Sequence, residues 1–224
     1  MDHASRALLP AGLRDLLPPE AAHEARVVES VLARFAAHGY ERVKPPLMEF
    51  EGSLFAGPGA ALAGQTFRVM DPASQGMMGV RADITPQAAR LAATRLGGAE
   101  RPLRLSYAGE VLRVRGGQLR PERQFAQAGL ELIGATGPRA DAEVMALTVD
   151  ALAAQGVEGL SIDLTLPTLV PVVLDAYGVT GEAARRLSHA LDHKDAGAVA
   201  AEGGPAATLL KGLIDACGPA ERAL

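Results

Sequence analysis

Two polar residues, Gln127 and Glu131, lie four positions apart with Gly129 halfway between them. The segment from Arg123 to Ile133 alternates in character, which predicts a β-strand that presents these three residues on one face. At the strand rise of about 3.3 Å per residue, the amide and the carboxylate are about 13 Å apart. The glycine is expected to leave a hollow between two polar groups, and such a hollow suits a small, polar, cationic ligand.

A second strand, from Val111 to Arg115, is predicted to pair with the first as an antiparallel hairpin, because the loop between them contains two glycines and a proline. Arg113 and Arg115 share one face of this strand and are suited to hold anionic groups nearby. The remaining face of the Arg123–Ile133 strand is small and apolar enough to pack under helices. The same pattern also fits an amphipathic hairpin with a solvated face, so both interpretations stay open.

Asp83 and Thr85 are further candidates, in the segment from Arg81 to Gln87. Thr85 followed by Pro86 predicts a helix start, with the hydroxyl as the cap and proline at the first helical position. Side chains at a helix N-terminus serve either as caps or as ligand contacts. Capping explains these two residues about as well as ligand binding does.

Periodicity and breaker residues predict the elements that position these candidates. Helices are predicted near Glu20 to Gly39, Thr85 to Gly97, Asp141 to Gln155, Thr168 to Tyr177, Gly181 to Asp192 and Ala206 to Cys217. Besides the hairpin, strands are predicted at Tyr40 to Lys44, Thr66 to Met70, Gly79 to Arg81, Leu103 to Tyr107 and Leu160 to Leu164. Residues 56 to 64 are predicted to form a mobile loop of small residues.

The amino-acid composition is typical of a globular protein without membrane-spanning segments. The 224 residues are 48% hydrophobic and 21% charged, as in ordinary globular proteins, and no apolar run has transmembrane length. The single cysteine, Cys217, excludes an internal disulfide framework and favours a reducing cytoplasm. A net charge of −4 argues against nucleic-acid binding, although six of the 22 basic residues cluster between Arg101 and Arg123. An RNA-binding surface at this cluster is the weaker interpretation.

Signatures of catalysis and of metal binding are absent from the sequence. There is no G-x-S-x-G, no P-loop and no Rossmann glycine pattern. His189 and His193 are spaced to face each other on a helix, but the residues between them lack the glutamate of the zinc-protease motif and no third ligand is suggested. An exposed helix with two histidines is favoured over a metal site, and neither a metal nor a cofactor is predicted.

Several motifs in order resemble histidyl-tRNA synthetase: Gly39-Tyr40 followed by Pro46, the segment from Arg81 to Thr85, and R-L-S-Y-A-G-E-V-L-R (104–113) with R-Q-F-A-Q-A-G-L-E (123–131). The resemblance implies that histidine-binding positions of that family are occupied here by Asp83, Thr85, Gln127 and Glu131. It also implies that Arg113 is the motif 2 arginine that contacts the ATP phosphate and the amino-acid carboxylate.

One position departs from the synthetase pattern. Motif 2 carries a glutamate two residues after its arginine, and this chain has Arg115 there, which removes an acceptor and reverses the local charge. The run D-I-T-P-Q-A-A-R (83–90) is more similar to the ATP phosphoribosyltransferase regulatory subunit family. That resemblance implies a non-catalytic, cytoplasmic regulatory subunit in histidine biosynthesis, which confers activity and histidine response on the short catalytic subunit. The alternative is a histidyl-tRNA synthetase fragment that activates histidine and charges tRNA.

The resemblance implies an α+β fold of the class II aminoacyl-tRNA synthetase type, an antiparallel sheet with helices on one side, incomplete at its C-terminus. Residues 1–165 are predicted to form the synthetase-like core, and residues 166–224 a helical segment that ends before motif 3. The expected partners are the short-form catalytic subunit, a second copy of the chain through the motif 1 segment from Glu20 to Phe50, and histidine as a possible ligand. No nucleic acid and no membrane are expected as partners.

Overall fold

A computed structural model describes residues 9–219, and these divide between two compact units that meet in sequence at Ser161 and Ile162. Residues 1–8 and 220–224, which belong to the two predicted domains, lie outside the described residues. No helix between Leu9 and Pro219 is both long enough and apolar enough to span a membrane.

The strands of residues 9–219 form two three-stranded sheets. The first has the order β1-β5-β6, with β1 parallel to β5 and β5 antiparallel to β6, and the second has the order β2-β4-β3 and is antiparallel throughout. The strands are β1 (Glu41–Arg42), β2 (Met48–Phe50), β3 (Arg68–Met70), β4 (Met77–Val80), β5 (Leu103–Leu112) and β6 (Gln124–Ile133). The predicted antiparallel pairing therefore holds for β2 to β6, and the two-residue strand β1 is a parallel addition at the edge of the first sheet.

Helices account for most of the remaining regular structure. The α-helices are α1 (Glu20–Ala37), α2 (Glu51–Leu54), α3 (Thr85–Ala93), α4 (Pro138–Ala153), α5 (Leu169–Ala176), α6 (Gly181–Asp192), α7 (Ala196–Glu202) and α8 (Ala207–Ala216). A 3-10 helix spans Gly57–Gln65, where a mobile loop was predicted. Pro58 lies in its first turn, a position that proline favours, and Gly59 packs against the Leu54 carbonyl so closely that a side chain would clash.

Both faces of the β5–β6 hairpin are covered, so the expectation of helices on one side only is wrong. On one face, Leu130 and Leu132 of β6 pack with Ala108 of β5 against a core built from α1 and α4. That core contains Leu32, Phe35, Tyr40, Leu147 and Ala151. On the other face, the start of α3 packs against the hairpin in a smaller cluster of Ile84, Ala88, Tyr107 and Val111.

The strand β5 is longer than predicted, because it joins the separate segments expected at Leu103–Tyr107 and Val111–Arg115 and ends at Leu112. Gly109 lies at the predicted break. The Arg81 guanidinium occupies the space where a side chain of residue 109 would lie, so this glycine allows close packing and does not interrupt the strand.

The second unit is a helical cluster with its own core. Leu174, Leu187, Val199 and Leu210 are buried where α5 to α8 meet, and α7 is a helix that sequence periodicity did not predict. The prediction of a strand at Leu160–Leu164 is wrong, because these residues have no regular secondary structure. This segment has no strand beside it in the part of the chain that the structure describes, and Ile162 and Leu164 are 51% and 71% exposed.

Candidate functional site

The polar face of β6 and the N-terminus of α3 bring the predicted site residues together. Gln127 is the link between them, since its Oε1 accepts a hydrogen bond from the Ile84 backbone N–H at 3.0 Å. Its Nε2 donates to Oδ1 of Asp83, also at 3.0 Å. Residues far apart in sequence thereby converge on one face of the hairpin.

Thr85 does not cap the helix, in contrast to the prediction. The helix begins at Thr85 itself, with Ile84 in the cap position and no side-chain cap bond. Asp83 Oδ1 accepts the Thr85 backbone N–H at 2.8 Å, so the aspartate satisfies one of the free amides at the start of the helix. The Thr85 hydroxyl is thereby left for the site, where its oxygen lies 2.8 Å from the Tyr107 hydroxyl oxygen.

The hollow predicted above Gly129 is filled by a phenol ring. Tyr107 is the cross-strand partner of Gly129, and a Cβ on residue 129 would lie 2.5 Å from the Tyr107 hydroxyl oxygen and 2.6 Å from Cζ. Because Gly129 has no side chain, the ring packs against the backbone of β6 and is only 3% exposed. The glycine therefore accommodates Tyr107, and the predicted empty space is not present.

Tyr107 connects the two ends of the site. Its hydroxyl donates to Oε1 of Glu131 at 3.0 Å, and since a phenol has one proton, the Thr85 hydroxyl is then the donor to Tyr107. Burial raises the pKa of the Tyr107 hydroxyl, so the phenol stays protonated and remains a donor. Alternation along β5 assigned no role to Tyr107. The cross-strand register is the signal that identifies it.

Glu131 is a half-buried carboxylate without a cationic partner. Burial raises its pKa above the usual range and the Asp83 carboxylate adds to the rise, whereas the hydrogen bond from Tyr107 opposes it. None of the ion pairs formed by residues 9–219 includes Glu131 or Asp83. Two neighbouring carboxylates without a cation attract a positively charged ligand.

Arg113 lies at the opposite end of the same face. Its Nε donates to the Ala82 carbonyl at 3.2 Å, and its guanidinium carbon lies 5.1 Å from the centre of the Phe125 ring. The guanidinium carbon of Arg120 is 4.4 Å from the same ring, whereas Arg115 is exposed. The face therefore runs from cationic groups at Phe125, through the Gln127 amide, to the carboxylate of Glu131.

His189 and His193 lie in the helical unit, where their Nε2 atoms are 3.0 Å apart and the rings meet edge to face. Between Leu9 and Pro219, no three His, Cys, Asp or Glu side chains come together as metal ligands. A groove of about 680 Å³ lies between α5 and α6 and is lined by Leu174, Arg185 and His189 among others. None of the residues predicted to bind a ligand lines it.

Comparison with known sequences places most of the chain in one family. A model of the histidyl-tRNA synthetase family matches residues 12–223. The ATP phosphoribosyltransferase regulatory subunit of Paramagnetospirillum magneticum is 66% identical over 223 residues, which are 100% of this chain and 59% of the relative. That of Rhodospirillum rubrum is 59% identical over 221 residues, 99% of this chain and 58% of the relative. The chain thus spans less than two thirds of the length of these curated relatives.

Solved structures confirm the class II synthetase-like α+β fold. A Bacillus halodurans structure described as an ATP phosphoribosyltransferase regulatory subunit/histidyl-tRNA synthetase has a TM-score of 0.71 and 27% identity, and the match covers 87% of this chain and 50% of that one. A histidine–tRNA ligase subunit from Alicyclobacillus acidocaldarius has a TM-score of 0.65 and 29% identity, with coverage of 83% and 53%.

Proposed function

The chain belongs to the histidyl-tRNA synthetase family, and on this premise we propose that it is a non-catalytic regulatory subunit of ATP phosphoribosyltransferase. Relatives that match over its whole length and carry that name support a regulatory role in histidine biosynthesis. In this proposal the protein acts in the cytoplasm. It is required for the activity of the short catalytic subunit and for its response to histidine.

The uncompensated carboxylate of Glu131 is the observation that carries the ligand part of the proposal. A bound histidine would place its ammonium or imidazole against Glu131 or Asp83 and its carboxylate against Arg113, in the polarity that the site already has. Charge-assisted hydrogen bonds of this kind contribute about 1.5–3 kcal/mol each. The Gln127 amide, held by Ile84 and Asp83, fixes the spacing between the two ends.

The second candidate is a histidyl-tRNA synthetase fragment, since solved relatives of the fold carry the ligase name. Arg115 argues against it, because the synthetase motif has a glutamate at this position and a cation cannot replace its acceptor oxygens. We expect no histidine-dependent exchange between ATP and pyrophosphate. Exchange above background would support the synthetase and overturn the regulatory proposal.

For assembly, the proposal is a homodimer through the segment from Glu20 to Phe50, joined by the catalytic subunit in a hetero-oligomer. Leu47 and Phe50 in this segment are apolar and exposed, as expected of side chains that a partner would cover. Light scattering at micromolar protein concentration tests the dimer, and a monomeric mass would contradict it.

The ligand site is tested by calorimetry with histidine on the wild-type chain and on two variants, Gln127→Ala and Glu131→Ala. Each removes a half-buried partner of the ligand, so we expect Kd to rise about tenfold or more. Glu143→Ala is the matched control, since Glu143 is a glutamate on the opposite side of the hairpin and already pairs with Arg104. Equal affinity of all variants, or no binding by the wild type, would reject the site.

The regulatory role is tested with a short-form ATP phosphoribosyltransferase. Co-purification of the two chains and a rise in transferase activity on mixing are the expected results. A Glu131→Ala chain should still associate with the catalytic subunit but should give less inhibition by histidine. If the wild-type chain neither associates nor activates, the regulatory function is wrong.

A further inference from the structure

The segment that carries Asp83 has no regular structure of its own. Residues 82 to 84 lie between β4 and α3 and take part in no sheet ladder or helix. A ligand contact on such a segment needs other interactions to keep its position, because ordering the backbone of each residue costs conformational entropy. The side chains just before and just after the segment supply these interactions.

Arg81 anchors the front of the segment. Its Nη1 donates to the Pro45 carbonyl at 3.0 Å and its Nε to the Glu110 carbonyl at 2.8 Å, with the guanidinium packed over Gly109. Only 6% of the residue is exposed. A buried guanidinium with two main-chain acceptors ties the start of the segment to β5 and to the connection between the two sheets.

Gln87 anchors the rear of the segment, in the first turn of α3. Its Nε2 donates to the Pro46 carbonyl and to Oε1 of Glu49, both at 2.8 Å, and the residue is 1% exposed. Arg90, one turn along α3, also binds Oε1 of Glu49, so β2 and α3 share a buried carboxylate.

We propose that Arg81 and Gln87 form a clamp that positions Asp83 and Thr85 for the ligand site. The two side chains bind the carbonyls of consecutive prolines, Pro45 and Pro46, so both ends of the segment are fixed to one short stretch of backbone. Proline restricts the φ angles of that stretch, which makes it a rigid base. The clamp rests on the proposed function for its ligand. Its structural part is independent of what the ligand is.

Amide hydrogen exchange measured by NMR tests the structural part without ligand. The Ile84 and Thr85 amides are protected by Gln127 and Asp83, so they report whether the segment keeps its position. Gln87→Met keeps the length of the side chain and removes both donors. We expect exchange of these two amides to become about tenfold faster relative to the amides of α4, as the loss of about 1.4 kcal/mol would give.

Gln124→Met is the matched control, because Gln124 is an exposed glutamine at the start of β6 whose amide donates to the exposed side chain of Glu110. It should leave the exchange of Ile84 and Thr85 unchanged. The clamp is overturned if Gln87→Met leaves the Ile84 and Thr85 amides as protected as the control does, or if it accelerates α4 to the same extent, which would mean a general loss of stability.

A calorimetric titration of the same variants with histidine connects the clamp to the site. Gln87→Met should raise Kd severalfold, and Gln124→Met should not. If the wild type does not bind histidine but exchange at Ile84 and Thr85 still accelerates, the proposed ligand is wrong and the clamp stands. If the wild type binds and Gln87→Met binds equally well, the clamp does not position the site.

Discussion

Two tyrosine–glutamate pairs lie on opposite faces of one hairpin and differ in what surrounds them. On the face that packs against α1 and α4, the Tyr40 hydroxyl donates to Oε1 of Glu143 at 3.0 Å, and Arg104 binds both oxygens of that carboxylate at 2.8 and 2.9 Å. On the polar face, Tyr107 donates to Glu131 at the same distance of 3.0 Å, and no cationic side chain within residues 9–219 forms an ion pair with that carboxylate.

The difference appears in the acidity of the two carboxyl groups. Hydrogen bonds from the Arg104 guanidinium hold the pKa of Glu143 below its usual range, whereas burial raises the pKa of Glu131. Both tyrosines are buried, and burial with the Glu143 hydrogen bond raises the pKa of Tyr40 to about 12. The same two residue types therefore differ in their charge balance. The Tyr40–Glu143 pair is neutralised by Arg104, whereas the carboxylate of the Tyr107–Glu131 pair has no ion-pair partner within residues 9–219.

The largest loss of stability is expected when a side chain is added at Gly129 on the polar face. Gly129→Val would place a branched side chain against Tyr107, and overpacking of a fitted contact costs about 1–3 kcal/mol or more. Urea denaturation should show this loss, together with weaker histidine binding. Ala128→Val is the control, because Ala128 is exposed on the other face and β-branched residues suit strands. Equal stability of the two variants would show that Tyr107 moves aside freely.

Supplying the missing cation should make the polar face resemble the other one. Thr85→Lys places an ammonium where the Thr85 hydroxyl now bonds with Tyr107, next to Glu131. A cation provided by the protein competes with that of the ligand, so we expect histidine affinity to fall about tenfold. Thr85→Met controls for the lost hydroxyl and should weaken binding less. If the lysine variant binds histidine as tightly as the methionine variant, charge at Glu131 does not control affinity.

Removing each phenol hydroxyl compares the two faces directly. Tyr107→Phe removes the buried hydroxyl that Thr85 and the half-buried Glu131 share as a hydrogen-bond partner, and we expect a loss of about 1 kcal/mol in the free energy of unfolding. Tyr40→Phe should cost less, because Arg104 still binds both oxygens of Glu143. Thermal unfolding of the two variants under one buffer decides the order, and a larger loss for Tyr40→Phe would reverse the comparison.

The smallest effect is a difference in how stability depends on pH. A raised folded-state pKa at Glu131 means that its contribution is present at low pH and is lost as pH rises through that pKa. Glu131→Gln should therefore stabilise the ligand-free protein at neutral pH, and the gain should disappear on acidification.

The pKa of Glu143 is lowered, so the pH dependence of its contribution to stability is reversed. That contribution is lost as pH falls, and Glu143→Gln should destabilise the protein at neutral pH. Melting curves from pH 4 to 8 would contradict this account if both variants shift in the same direction.

Alternation along one strand was enough to predict which residues of β6 share a face. Leu130 and Leu132 pack toward α1 and α4, and Gln127 and Glu131 lie on the other face, as the period of two requires. The role of Tyr107 could not be predicted, because its contact with Gly129 depends on the cross-strand register, which the eleven-residue connection from 113 to 123 leaves open.

Other features depend on contacts between distant parts of the chain. The bond between Gln127 and Asp83 joins residues 44 positions apart, and no local pattern specifies it. Only the family resemblance brought these two residues together in one hypothesis. Conversely, Leu160 to Leu164 has strand-like alternation, but a strand forms only where another strand pairs with it, and none does within residues 9–219.

The two glycines of the polar face constrain how this sequence can evolve. Gly129 lies opposite Tyr107 on the neighbouring strand. Gly109 lies opposite Gln127 and beneath Arg81, so each glycine is paired with a large side chain across the two strands. A substitution that enlarges either glycine is harmful unless the bulky neighbour has already become smaller. The order in which mutations arise therefore matters at these positions. Gly129 and Tyr107 are expected to be substituted together in evolution, and so are Gly109 and Arg81.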